Sequence, residues 1–189
     1  MSGEQKWGRP HTAEMFNKMP DTRWVHNANA GHPNSYEKGR PDAFVFTSSR
    51  IVCVECKGGL GSLYLGNPDD EKDTAGWTMH QRNWWRHVAL PTRAPYWIAA
   101  WVYGERKPAG RVMQAKSSLF LVPPESWLAL EAEVTPLGRK TVALTPDLET
   151  SDHQFKPFAL SEQWTKYALV YDQGGWHIPP EHPYWEALK

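Results

Sequence analysis

Apolar residues fall along this chain in short runs of strand length, broken by polar turns and by two stretches with helical spacing. The clearest run spans residues 39–59, GRPDAFVFTSSRIVCVECKGG, and reads as two strands joined by the turn Thr47-Ser48-Ser49-Arg50. Successive strand side chains point to opposite faces, so Cys53, Glu55 and Lys57 share one face while Val52, Val54 and Cys56 share the other. Ahead of it, the spacing predicts a helix over 12–19, capped by Thr12, with Met15, Phe16 and Met19 as its apolar stripe and Pro20 as its stop. Residues 1–10 are polar and read as a frayed end, and 21–38 lack any period and read as a loop. A second helix follows a cap at Asp73 or Thr74 along AGWTMHQRNWWRHVAL, placing Trp77, Gln81, Trp84, Trp85 and Val88 on one buried stripe.

Further on, residues 95–103 are apolar without alternation, as expected of a strand buried on both faces. Residues 118–122 read as another strand, and Pro124 opens a helix through Glu133. Beyond Pro136 the pattern weakens to short strands at 141–144 and 167–171, a turn at Gly174-Gly175 and an aromatic turn around Tyr184 and Trp185. Helix, strand pair, helix, strand, strand, helix is an α/β order. With 189 residues and no linker or repeat, one domain is expected, with a proline- and tryptophan-rich extension over about 136–189.

Composition narrows the classes. Hydrophobic residues are 40% and charged residues 22%, which argues against wholesale disorder. Basic and acidic residues balance at 21 each, so no global cationic excess points to nucleic acid, and any such binding has to come from local charge arrangement. No apolar run long enough to span a bilayer and no export leader is seen, so a cytoplasmic protein without membrane contact is expected. The two cysteines, Cys53 and Cys56, form a lone CxxC whose members face opposite sides of a strand, which favours buried thiols over a zinc or redox pair. Eleven tryptophans suit a core, and some of them stacking on unpaired bases.

The chemistry sits on the first hairpin. Charges emerging from strands as apolar as 51–54 need compensation. A divalent cation between Asp42 and Glu55, with Lys57 at its edge, supplies it, and the same set would activate water against a phosphate. The alternative is a surface hairpin on which Glu55 and Lys57 pair across solvent.

Pro41-Asp42 followed by Glu55-Cys56-Lys57 resembles the PD-(D/E)XK nuclease signature, and His80-Gln81 on the next helix resembles an element of Holliday-junction resolvases and related recombination nucleases. The resemblance covers residues 12–133 in element order. It implies a restriction-endonuclease-like mixed central sheet flanked by helices, and a magnesium-dependent DNA endonuclease, with manganese as a substitute, of bacterial or phage type. Asp42 and Glu55 would hold the metal, with the Cys56 carbonyl and Glu14 of the first helix as further ligands. Lys57 would act on the attacking water or scissile phosphate and Gln81 would point at the metal. Branched or single-stranded DNA and a homodimer are the partners it implies.

Arg40, His80, Arg82 and Arg86 are candidate nucleic-acid contacts. Arg82 and Arg86 read equally as ordinary surface cations, and Glu14 equally as a solvated helix charge. A restriction enzyme or exonuclease of the same superfamily would share these residues. So would a non-catalytic nucleic-acid- or protein-binding module on the same scaffold.

Overall fold

The computed structural model describes residues 9–27, 39–60, 63–66, 76–103, 117–135, 141–142 and 162–189. The expectations for residues 1–8, for 28–38 of the expected loop, and for Asp73 and Thr74 lie outside them. At the centre is a five-stranded mixed sheet made of β1 (Arg23–His26), β2 (Ala43–Phe46), β3 (Ile51–Leu60), β5 (Tyr96–Tyr103) and β6 (Ser117–Val122), side by side in that order. β1, β2 and β3 form an antiparallel meander, β5 runs parallel to β3, and β6 returns antiparallel to β5.

The hairpin is the one its sequence predicts. Thr47 N–H bonds to the Arg50 carbonyl at 2.9 Å to close the turn, and Ala43 pairs with Val54 in register. β1 was expected to be loop. It forms because Trp24 and Val25 pair with Val45 and Phe44, and Asn17 of the preceding helix accepts the Trp24 N–H at 3.0 Å. A four-residue edge strand is too short to show a period in sequence.

Helices cover both faces. One face carries α1 (Arg9–Lys18) and α6 (Tyr184–Ala187), with the hairpin of β8 (Val170–Asp172) and β9 (Gly175–His177). There the ring pairs Phe16–Tyr184, Trp97–Tyr184 and Trp101–Trp176 pack tilted or edge-on at separations of 5.6–5.8 Å. The Glu55 face carries α2 (Met79–Trp84), α4 (Pro124–Val134) and α5 (Glu162–Thr165), with Trp77, Trp84 and Trp85 around Tyr96 and Trp127 against Trp164. A smaller pairing joins β4 (Leu63–Tyr64) to β7 (Thr141–Val142). The parallel β3–β5 pairing requires a crossover, and α2 provides it.

Two helix expectations shift. α1 starts at Arg9, three residues before the expected cap, with Pro10 in its first turn, where a missing N–H costs nothing. Thr12 is therefore inside the helix and buried. α2 starts at Met79 with Thr78 as its cap, so Trp77 precedes the helix. From Trp85 to Ala89 the helix widens to a π-turn before α3 (Leu90–Thr92). The wider turn carries Ala89 inward and leaves Val88, expected on the buried stripe, 40% exposed.

Candidate functional site

β3 outruns β2 at one end. Their last paired rung is Ala43 with Val54, so beyond it the β3 backbone groups on the β2 side face no strand among the described residues. Asp42, the residue just before β2, fills that gap: its Oδ2 accepts the Cys56 N–H at 2.8 Å. Its main chain is fixed from the other side, where the Asn27 N–H donates to the Asp42 carbonyl at 2.8 Å and Asn27 Nδ2 to the Pro41 carbonyl at 3.1 Å. The other carboxylate oxygen, Oδ1, accepts from Arg9 Nη2 at 2.5 Å.

Glu55 and Lys57 lie on the same face of β3, as the alternation requires, and Lys57 Nζ is 2.8 Å from Glu55 Oε1. Asp42, Glu55 and Lys57 are only 3%, 0% and 5% exposed. This is a buried ionic group at the end of the sheet, and the alternative of a solvent-exposed Glu–Lys pair does not hold.

Gln81 completes it. In the capping box of α2 its Oε1 accepts the Thr78 N–H at 3.0 Å, while the Thr78 hydroxyl accepts the Gln81 N–H at 3.4 Å. With its oxygen committed to the cap, the amide can turn only its NH2 outward, and Nε2 donates to Glu55 Oε1 at 2.6 Å. The helix cap thus fixes which amide atom meets the carboxylate.

Gly39 has φ +86°, and a Cβ there would lie 2.1 Å from the His80 carbonyl oxygen. The chain entering Asp42 and the first turn of α2 touch backbone to backbone, a contact only glycine permits. Tyr96, paired with Cys53 on β5, borders the same region; burial first, and the charge of Glu55 next, push its phenol well above the ordinary range. Burial also pushes the Cys53 thiol up to about 12, and both cysteines are free and buried, as expected.

The remaining candidates disperse. Glu14 is not gathered with the other two carboxylates: it is exposed on α1, bonded to Lys18 at 2.7 Å, and lines a groove with His11, Tyr171 and Trp176. Five residues after Arg9, it lies on the β8–β9 side of α1. The Lys18 bond holds its carboxyl below the usual carboxylate range. Arg82 is corrected more sharply. It is 2% exposed, forms a bidentate pair with Glu131 at 2.6 and 2.8 Å, and donates from Nε to the Trp77 carbonyl at 2.7 Å. A guanidinium so committed does not reach a phosphate; it joins α2 to α4. Arg86 is exposed on the π-turn, and Arg40 and His80 are half-buried beside Asp42 and Gln81 in the chain.

Arg9 is the site residue the sequence reading missed. Pro10, a first-turn signal, could have placed the helix start beside it.

Among the described residues no group of three or more His, Cys, Asp or Glu side chains converges as a metal cluster, and no helix is long and apolar enough to cross a membrane. Two carboxylates nonetheless suffice for magnesium, which binds through one or two of them and keeps several waters. No protein-family model matches this chain, and no curated protein matches it.

Proposed function

We propose that the chain is a magnesium-dependent DNA endonuclease of the PD-(D/E)XK type, with a restriction-endonuclease-like fold and selectivity for branched DNA. The observation that carries the reading is the burial of Asp42, at the entry to β2, beside Glu55 and Lys57 of β3 at the sheet end. The antiparallel meander, the α2 crossover and the parallel β5 support the fold assignment.

Asp42 and Glu55 are the residues that would hold magnesium. An extended residue turns its N–H and C=O toward the same flanking strand, so the Cys56 N–H bond to Asp42 puts the Cys56 carbonyl on that side as well. The cation, when bound, lowers the pKa of water and offsets charge on the phosphate. Lys57, held at 2.8 Å by Glu55, donates a hydrogen bond to the attacking water or a non-bridging phosphate oxygen. Gln81 fixes the Glu55 carboxylate through its capped amide. Water oxygen would join phosphorus and release a proton to bulk solvent, the P–O3′ bond would break with O3′ taking a proton from solvent, and the products would be a 5′-phosphate and a 3′-hydroxyl.

Linear duplex, single-stranded and four-way DNA are incubated with protein in magnesium, manganese or EDTA. Metal-dependent cutting, preferentially of the four-way junction, is expected, and Asp42→Asn should abolish it at a temperature where circular dichroism shows the variant folded. Full cutting by that variant removes the assignment. One observation favours a second reading, a binding module without catalysis: Arg9 and Lys57 already balance Asp42 and Glu55. Binding of these DNAs with no cut in any metal would establish it.

A further inference from the structure

Asp42 has one carboxylate oxygen committed to the Cys56 N–H and the other held by Arg9 at 2.5 Å. Resting on the reading of Asp42 as a metal ligand, we propose that Arg9 competes with the divalent cation for Asp42 Oδ1. Loading the site requires Arg9 to let go, and the first turn of α1 acts as its gate.

A side chain as buried as Asp42, 4% exposed, needs a positive partner, and either a guanidinium or a metal ion meets that need. A guanidinium and a divalent cation on one oxygen repel each other, so occupancy by either disfavours the other. Magnesium binds carboxylate oxygen at about 2.1 Å, and a guanidinium 2.5 Å from that atom would lie against the ion and its water shell. Oδ2 offers no easy alternative, because it serves the β3 backbone.

Of the cations around the two carboxylates, Arg9 is the one placed to leave. Lys57 is fixed within β3 with a side chain 6% exposed, whereas Arg9 is the first residue of α1 and its side chain is 21% exposed. Its release gives up the contact of Nη1 with His26 Nε2 at 3.5 Å but does not require the sheet to open. Exchange of Arg9 for the cation keeps the carboxylate compensated throughout, so the site carries its charge balance in both states.

The competent fraction is the fraction with Arg9 released, and apparent metal affinity scales with it. A pair closed about ten times as often as open weakens binding about elevenfold. Titration of manganese into the full chain by calorimetry is the test. Arg9→Gln should bind about tenfold more tightly than the parent, whereas Lys18→Gln, which removes the same charge farther along α1, should not. Equal affinities for the parent and Arg9→Gln, or equal tightening by both variants, would overturn the competition.

Undetectable manganese binding by the parent and both variants, matched by Asp42→Asn, would instead remove the metal-site reading itself. A measurement on the parent chain guards against a folding defect in the variants. The guanidinium NMR signals of Arg9 should move to solvent-exposed positions on saturation with magnesium; unchanged signals at saturation sink the gate.

Discussion

The pair between Arg82 and Glu131 allows a quantitative test of the claim that this arginine is structural. Both side chains are buried, joined by two short hydrogen bonds, and the same guanidinium reaches the Trp77 and Leu65 carbonyls at 2.7 and 3.4 Å and sits 4.9 Å from the Trp77 ring centre. It therefore ties α2, α4 and β4 together. Removing one partner of a buried pair leaves the other charge without compensation, at about 3–5 kcal/mol.

Glu131→Gln keeps a hydrogen-bond acceptor and the Trp77 contact, so its cost should fall near about 3 kcal/mol, whereas Arg82→Met also abandons two carbonyls and should approach about 5 kcal/mol. In a domain of this size each kcal/mol moves the melting temperature by about 2–4 °C, giving a drop of about 6–12 °C for Glu131→Gln. Urea unfolding followed by tryptophan fluorescence measures these values. The double variant Arg82→Met/Glu131→Leu should recover much of the loss, since an apolar replacement of a buried pair is often neutral. At a temperature where Arg82→Met is folded, the slope of DNA affinity against salt should equal the parent's. Glu131→Gln within about 1 kcal/mol of the parent, or a salt slope reduced by about one, would refute the structural role.

Two further outcomes follow from local geometry. Gln81→Leu loses both the Thr78 cap bond and the Glu55 bond and should cost about 2–4 kcal/mol in urea unfolding. Gln81→Glu should lose more, because it sets a second carboxylate where Nε2 now lies 2.6 Å from Glu55; a Gln81→Glu variant as stable as the parent contradicts the capped-amide geometry. His182 is buried with Nδ1 accepting the Tyr184 N–H at 3.0 Å and Nε2 3.3 Å from the Tyr167 carbonyl, so the imidazole is neutral with its proton on Nε2. Burial lowers its pKa below 6.5, so the unfolded chain takes up the proton first; the stability it contributes is complete above about pH 6.5 and is lost as pH falls through the lower folded value. His182→Gln should flatten the stability profile between about pH 7 and 5, and an unchanged slope in urea unfolding over that range would dismiss the linkage.

What could be read from sequence was whatever depends on local alternation. The hairpin, its turn and the shared face of Glu55 and Lys57 follow from a period of two, and the burial of residues 96–102 from an unbroken apolar run. Helix phase was less legible. The π-turn over Trp85–Ala89 moves Val88 to the surface, and the pair with Glu131 takes Arg82 into the interior. A π-turn leaves no signature in hydrophobic spacing, because one extra residue per turn resembles noise in a short helix. Arg9 and Glu131 were invisible for a different reason. Each acts through a partner 33 or 49 positions away, and nothing in the local pattern of either residue names that partner.

The C-terminal segment 162–189 has a bearing on how this protein is made. Trp176 and Tyr184 roof Trp101, Trp97 and Phe16, and the stretch 167–169 bonds along β6 through Leu119 and Leu121. During synthesis, then, the residues that align Asp42 with Glu55 emerge long before the aromatic lid over the opposite side of their sheet. Until Tyr184 has left the ribosome the nascent chain carries exposed indoles on a half-built sheet, a substrate for chaperones or for self-association.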